Sequence, residues 1–512
     1  MKVMFIYIDN TSSVGYSAGI GVLSAILKKE GHQTALQHIS DELDYPLDQD
    51  RINKGIYDYQ PKLICFSITT NQWRTVTQVG TGIKKELNIP IMVGGPHPSG
   101  DPDAVMEEPW VDFLCRGEGD IALPETVRCF EAGLPYEGVP NLMYRKNGVV
   151  VKEPLGKFVE DLDSLPLEDR EIFDYERIIE TRHGWAEVIV TRGCPYPCSH
   201  CFNETLFNQY RNDEPKYAGT SLKKKEFVRR LSVSSTLSML NRLIGRYPQI
   251  IRFTFVDDIL ATDGVWFAEF SKRYKNEIGL PYACTSHPLV FNARVAKLLK
   301  ESGCKVVKMG VESGNMEIRS KVLKRDIKDQ HLVDVFRIAK ESGLKPQSFN
   351  MIGIPGESIE QMMDTVRLNA RIKPYIVWLS TFIPYPGSLL YDECRKKGMI
   401  DEDKWTEVVS YREESPLKDA FLPRRAFRKI RVMFRWHLNS CLGNSAASIY
   451  KDAIRDLSSL PNEQWEIGEI DKVFTKRDDE IDAYLRQKDI SHYMRKKYVN
   501  IFWGSEYDYD IT

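Results

Sequence analysis

Along the first 140 or so residues, short β-branched runs alternate with stretches whose apolar positions recur at helical spacing. The runs predict strands over Val3 to Ile8, Thr34 to Ile39, Leu63 to Ile68, Ile91 to Gly94 and Val111 to Cys115. The spaced stretches predict helices over Gly19 to Lys29, Trp73 to Leu87, Pro102 to Glu107 and Ile121 to Ala132. Strand and helix in alternation are the signature of a doubly wound parallel sheet.

A Pro-rich, charged stretch from Gly138 to Arg182 then reads as a connector with a short hairpin at Asn147-Gly148. From Glu187 the alternation resumes. Strands are predicted over Glu187 to Thr191, Ile250 to Val256, Tyr282 to Thr285, Lys305 to Val311, Gln347 to Ile352 and Ile376 to Phe382. These β/α units predict a partial TIM-type (β/α)6 barrel, its active site at the strands' C-terminal ends. Beyond Met399 the strands stop, and the rest reads as helical. There a basic helix from Arg424 to Leu438 carries Phe427, Ile430, Phe434 and Leu438 as an apolar stripe, its Arg and Lys residues forming a solvated face. The expected architecture is α/β, with a flavodoxin-like or Rossmann-like sheet in 1–140, a linker in 141–185, the barrel in 186–395 and a helical region in 396–512.

Charge adds little direction. The 512 residues carry a formal net charge of -2 with both signs interspersed, which gives no reason to expect nucleic acid as partner. No apolar run is long enough to span a bilayer, and Met1 to Phe5 leads straight into a strand pattern, so a soluble, cytoplasmic protein is expected. Of the 10 cysteines most are single, as buried small hydrophobes are in a reducing compartment.

Three are not. Thr191 to Phe202 holds Cys194, Cys198 and Cys201, spaced C-x3-C-x2-C directly after a predicted strand. A closed zinc site needs four ligands, and His200 is the one nearby candidate for a fourth. A 4Fe-4S cluster held by three thiolates keeps one iron open. The short loop at the head of a β/α array favours the cluster. This segment resembles the radical S-adenosylmethionine (SAM) superfamily, with His200 in the place where an aromatic residue is usual. The resemblance implies that SAM chelates the open iron and is cleaved to a 5′-deoxyadenosyl radical. It also implies SAM contacts at Asp257 and Asp258, at Glu312 and Ser313, and at Gly353, Ile354 and Pro355. Pro384 to Ser388 resembles the Pro-Gly-Thr/Ser motif after the sixth strand.

Val93-Gly94-Gly95-Pro96-His97-Pro98 and Arg116-Gly117-Glu118-Gly119-Asp120 resemble the turns of the cobalamin-binding domain in B12-dependent radical SAM enzymes. The resemblance implies cobalamin contacts at Gly94, Gly95, His97, Arg116, Gly117 and Glu118. The cobalt-ligating Asp-x-His-x-x-Gly motif is absent, so the lower face of cobalamin is expected against Thr69, Thr70, Asn71, Gln72 and Trp73; Trp73 reads equally well as a core aromatic. Asp9, Asn10 and Tyr16 are further edge candidates.

The family likeness implies methylation of an unactivated carbon of a small molecule or natural-product precursor through the deoxyadenosyl radical and methylcobalamin. The rivals are a cyclase or ring-rearranging enzyme that uses cobalamin without methyl transfer, and a non-catalytic sensor. An external electron donor such as flavodoxin or ferredoxin is implied. The insertion from Asn203 to Phe227 and the C-terminal region are expected to cover the pocket. His287, Asn350 and Tyr385 are candidate substrate contacts.

Overall fold

The computed structural model describes residues 1–9, 14–213, 222–262, 264–407, 410, 414–465, 469–496 and 499–503. The chain forms two compact units. The first comprises Met1–Asp258, Pro384–Glu393 and Thr406–Ser410, and the second Ile259–Ile383, Cys394–Trp405 and Tyr411–Thr512.

In the first unit, β1 (Lys2–Ile8), β2 (Gln33–Ile39), β3 (Leu63–Ser67), β4 (Ile91–Gly94) and β5 (Phe113–Cys115) form a parallel sheet ordered β2-β1-β3-β4-β5. All five lie within two residues of their expected bounds at either end, because strands covered on both faces leave an unbroken apolar imprint. Ile6, Ile64, Phe66, Val93 and Leu114 anchor the core of this sheet. A helix at Gln49–Tyr59 was not expected. Its buried face holds only Ile52, Asn53 and Ile56, too little for a clear period, and Asp48 caps it by accepting from the Asp50 and Arg51 amides.

The connector does more than connect. β6 (Leu142–Lys146) and β7 (Val149–Lys152) form the hairpin, with Asn147 and Gly148 both at positive φ (53° and 82°), as a type I′ turn requires. β6 pairs antiparallel with β5, which widens the sheet to seven strands. Still in this unit, β8 (Trp185–Val188) pairs parallel with β11 (Arg252–Phe255), and the two-residue strands β9 (Thr191–Arg192) and β10 (Arg229–Arg230) pair antiparallel. The helix Phe202–Asp213 follows the cysteine loop; of the rest of the insertion, 214–221 lie outside the described residues and Lys224–Phe227 forms a short helix.

In the second unit β12 (Tyr282–Ser286), β13 (Cys304–Glu312), β14 (Lys345–Ile352) and β15 (Ile376–Thr381) run parallel side by side. The helices Ala293–Ser302, Asp329–Glu341 and Ile359–Ile372 connect them. Two expectations fail here. Strands do not stop at Met399: β16 (His492–Lys496) and β17 (Val499–Trp503) form a hairpin, and β17 pairs antiparallel with β15. An edge strand presents unpaired backbone groups, and this hairpin covers them. Both strands are short, and β17 meets a partner over a hundred residues away, which no local pattern reveals.

The helix Arg424–Ser440 does bury Phe427, Ile430, Phe434 and Leu438, as its stripe predicts. Its basic residues are not all solvated, however. Arg435 is buried, paired with Asp478 and donating to the Tyr493 carbonyl at 3.0 Å. Arg428 pairs with Glu414.

Candidate cofactor-binding site

The cysteine loop leaves β9 at Gly193, whose φ is 87° and where a Cβ would sit 2.5 Å from the Phe227 carbonyl oxygen. Only glycine turns there. Cys198 is buried, and Cys194 and Cys201 are half-buried. Burial pushes the Cys194 thiol up to about 12 and the Cys201 thiol up to about 11, and Asp258 and the neighbouring thiols push the same way. Among the described residues no three His, Cys, Asp or Glu side chains converge on a single metal ion. A cube that takes one thiolate at each of three irons does not need that convergence, whereas zinc does.

Asp257 is buried, and its Oδ1 accepts from the Val190 amide (2.8 Å), the Thr191 amide (2.5 Å) and the Thr191 hydroxyl (2.7 Å). Burial still raises it to about 6, against the lowering effect of those bonds. It fixes the strand end from which the loop departs. Asp258 is reached by solvent, yet crowding by protein raises its carboxyl, opposed by a hydrogen bond to Asn203.

In the same unit a cavity of about 70 Å³ opens beside Phe5 of β1 and at the C-terminal ends of β3, β4 and β5, lined by Ser67, Gly94, Gly95, Gly117, Gly119 and Leu123 among others. Gly95 has φ 100°, and a Cβ on it would lie 2.7 Å from the Ile68 nitrogen; on Gly117, at φ 71°, it would lie 2.7 Å from the Tyr210 oxygen. The loop after β3 folds back: Thr69 and Gln72 form a capping box, and the Gln72 side chain donates to the Ile8 carbonyl at 2.6 Å. Thr70 meets the His97 Nδ1 at 3.3 Å, and Asn71 is half-buried beside it. Trp73 stacks on His97 (centroids 4.6 Å) and approaches Trp110 at 5.8 Å, so it is joined to the core as well as to the loop. Burial lowers His97 to about 3, which keeps its ring neutral.

Arg116 donates to the Glu153 carbonyl at 2.6 Å, and both oxygens of Glu118 accept from Arg229, at 2.6 and 3.0 Å. Asp9 is buried and accepts from the Gly15 amide, and Tyr16 accepts from Arg170. Asn10 lies outside the described residues. Tyr385 is exposed at the start of the Pro384–Glu393 segment of this unit.

In the second unit β13 ends in a register shift between Gly310 and Glu312. Glu312 sits at φ 66°, a strained conformation for a residue with a Cβ and one that concentrates at functional sites. Burial raises its carboxyl and Arg325 opposes. Glu357 underpins the following turn: its carboxylate accepts from the Gly353 amide (2.9 Å), the Ile354 amide (3.2 Å) and the Ser313 hydroxyl (3.4 Å). Pro355, buried like Ile354, completes that turn. Gly353 has φ 78°, and a Cβ there would lie 2.8 Å from Phe427, so the C-terminal helix closes the back of the turn.

His287 is buried, accepts the Leu289 amide on Nδ1, and is lowered to about 2, first by burial and then by Arg325 and His331. Asn350 is enclosed. Its amide donates to Ser348 and Trp378, and its oxygen accepts from Asn369 at 2.7 Å, so a substrate reaching it would have to open that network.

Residues 5–127 match the B12 binding domain family, and residues 188–368 match the radical SAM superfamily. The chain joins a B12-binding domain to a radical SAM domain. It is 24% identical over 422 residues to an uncharacterized methyltransferase of Pyrococcus horikoshii, which spans 80% of this chain and 86% of that protein. It is 22% identical over 428 residues to the anaerobic magnesium-protoporphyrin IX monomethyl ester cyclase of Rubrivivax gelatinosus, at 80% and 73% coverage. Among solved structures, the cobalamin-dependent SAM radical enzyme OxsB with aqua-cobalamin and SAM bound has a TM-score of 0.65 at 15% identity, covering 96% of this chain and 75% of that one. That likeness shows the fold: mixed α/β with parallel-strand sheets and a TIM-type radical SAM region. This is a cobalamin-dependent radical SAM enzyme, with a 4Fe-4S cluster, SAM and cobalamin as cofactors. Cys194, Cys198 and Cys201 supply the three thiolates that a cluster with one open iron takes, and the glycine-lined cavity lies within the residues that match the B12 binding domain. No helix among the described residues is long and apolar enough to cross a membrane.

Sequence reading missed Asp120, Arg192, Tyr210, Arg229 and Glu357 as parts of these sites. Asp120, Arg192 and Glu357 stand inside the recognised motifs, which was the available signal. The other two are brought in by tertiary pairing alone.

Proposed function

We propose that this enzyme methylates an unactivated carbon of a small molecule. One observation supports a two-cofactor reaction above all. Within a single unit, the segments flanking the cysteine loop are hydrogen-bonded to the glycine turn that borders the cobalamin cavity, as Arg192 to Asp120 and Tyr210 to the Glu118 amide. When bound, SAM on the cluster supplies a hydrogen-abstracting 5′-deoxyadenosyl radical, and cobalamin supplies a methyl group.

The chain's part is placement. Cys194, Cys198 and Cys201 would hold the cluster, and Asp257 keeps their loop at the strand end. Glu357 braces the Gly353 and Ile354 turn, and that turn with Glu312 and Ser313 would hold SAM. The backbone at Gly94 and Gly95 would border cobalamin where no side chain intervenes, while the Gly117 amide donates to the Ser99 hydroxyl at 2.9 Å. We take 1–140 as the cobalamin domain, 141–185 as linker, 186–395 as the radical SAM region and 396–512 as the helical region. On this reading the enzyme works in the cytoplasm and draws electrons from a reduced flavodoxin or ferredoxin.

The name of the Pyrococcus relative supports methyl transfer, and that of the Rubrivivax relative keeps cyclisation as the second reading. The test is an anaerobic turnover of fully loaded enzyme with SAM deuterated in its methyl group. Methyl transfer gives labelled product together with S-adenosylhomocysteine and 5′-deoxyadenosine. Product formed with deoxyadenosine but without label refutes methyl transfer and leaves the cyclase reading.

A further inference from the structure

The Arg116 to Asp120 turn lies on the cobalamin-binding sheet, yet its two acidic side chains face the cysteine loop. We propose that Glu118 and Asp120 are positioning residues for the 4Fe-4S loop and not contacts for cobalamin. The inference rests on the two cofactor sites and holds for methyl transfer and cyclisation alike.

Arg192 stands two positions before Cys194 and grips Asp120 as a fork, Nη1 to Oδ2 at 2.8 Å and Nη2 to Oδ1 at 3.0 Å. Arg229 grips Glu118 in the same way, at 3.0 and 2.6 Å. The two arginines are directly opposite each other in the β9–β10 pair, and Arg192 also approaches Glu118 at 3.3 Å. Two acids and two bases thus form a neutral quartet whose side chains are 4–26% exposed. Bidentate pairs of this kind fix direction as well as distance.

Both ends of the cysteine loop are tied to the one turn. Upstream the tie is Arg192. Downstream it is Tyr210, on the helix that begins at Phe202, whose hydroxyl accepts from the Glu118 amide at 3.0 Å. Arg229 is further held over Phe158, 4.2 Å from the ring centroid, and by the Val159 carbonyl at 2.8 Å. With Glu118 engaged at both oxygens and Asp120 engaged at both of its own, neither carboxylate has an oxygen left without an arginine. A loop that must set three thiolates at fixed separations gains from such a frame, and groups that orient metal ligands are themselves strong determinants of metal retention.

The experiment uses the full chain, reconstituted with iron, sulfide and hydroxocobalamin. Iron loss to a ferrous chelator and the dissociation constant of hydroxocobalamin are measured for Asp120→Asn and Glu118→Gln, alongside thermal midpoints. We expect iron loss to be faster by about tenfold or more, the usual scale for a group that orients metal ligands, with cobalamin affinity essentially unchanged. Arg192→Lys keeps the charge and loses the fork, so it should fold and fall between wild type and Asp120→Asn. The double variant Asp120→Asn/Arg192→Gln should be no worse than its worse single, because the two residues act as one device. Asp103→Asn, which breaks an exposed ion pair with Lys152 on the same sheet, should change neither quantity. A general loss of stability would lower the midpoint without this pattern. Unchanged iron retention in both single variants overturns the proposal, as does cobalamin binding weakened to the same degree as iron retention.

Discussion

Glycine replacements test the cobalamin-side turn, because the same Gly→Ala change should be strongly destabilising, weakly destabilising and stabilising at three sites of one unit. At Gly95 the backbone lies at φ 100° and ψ -174°, a region essentially closed to residues with a Cβ. A Cβ would also meet the Ile68 nitrogen at 2.7 Å and its oxygen at 2.8 Å, and both are backbone atoms that cannot rotate away. The strain costs about 1–3 kcal/mol and the overpacking about as much again, so about 4 kcal/mol in all. At Gly133 the φ is 64° and nothing lies within 4 Å of a Cβ, which leaves the left-handed penalty alone, about 1 kcal/mol. At Gly245, inside the helix Val233–Arg246, φ is ordinary and the space is open, so alanine should stabilise by about 0.5–1 kcal/mol. For domains of this size one kcal/mol moves the thermal midpoint by about 2–4 °C. In the cofactor-free protein, Gly95→Ala should therefore melt about 8–16 °C lower, Gly133→Ala slightly lower and Gly245→Ala slightly higher. Gly95→Ala should also lose hydroxocobalamin binding. If Gly95→Ala melts no lower than Gly133→Ala, the turn is not as tight as the 2.7 Å approach to Ile68 requires and the argument fails.

Two further outcomes follow from buried ionisable groups in the second unit. Glu357 is raised by burial from its ordinary 4.5 to about 8, so the fold favours its protonated form. Its raised value makes stability fall as pH rises from about 4.5 to 8, by an order of 3–5 kcal/mol. Glu357→Gln should remove that fall: urea titrations should find the variant level with wild type near pH 5 and more stable at pH 8.5, and parallel pH profiles would refute the assignment. Asp478 holds the buried Arg435 and accepts from the Trp436 indole at 2.8 Å. Asp478→Ala strands a guanidinium in the core and should cost about 3–5 kcal/mol in the same titration, whereas breaking the exposed Arg455–Asp452 pair should change nothing measurable.

What the sequence disclosed was whatever writes itself locally. The five parallel strands and the helices beside them were legible because burial on a sheet leaves an apolar run and burial on one helix face leaves a period. The cysteine triplet was legible because its three thiols are neighbours in sequence. The helix Gln49–Tyr59 was hidden by a polar composition that buries two isoleucines and an asparagine. The hairpin of β16 and β17 was hidden because its partner, β15, lies 118 or more positions upstream. Arg435 looked like a solvated base since its partner Asp478 is 43 positions away.

The instructive case is Glu118. Its place in a motif beside a glycine turn pointed to the cofactor bound by that sheet, and the motif was recognised correctly. A motif, though, records which residue type is needed at a position and not which way its side chain faces. Direction here is set by Gly117 at φ 71°, which turns the chain so that the Glu118 amide meets Tyr210 and its carboxylate meets Arg229, 92 and 111 positions further on. The same holds at Asn350, a strand-end polar residue whose amide is absorbed by Ser348, Trp378 and Asn369. At both positions the chemistry of the residue was legible and its addressee was not, because the addressee is chosen by packing between distant segments.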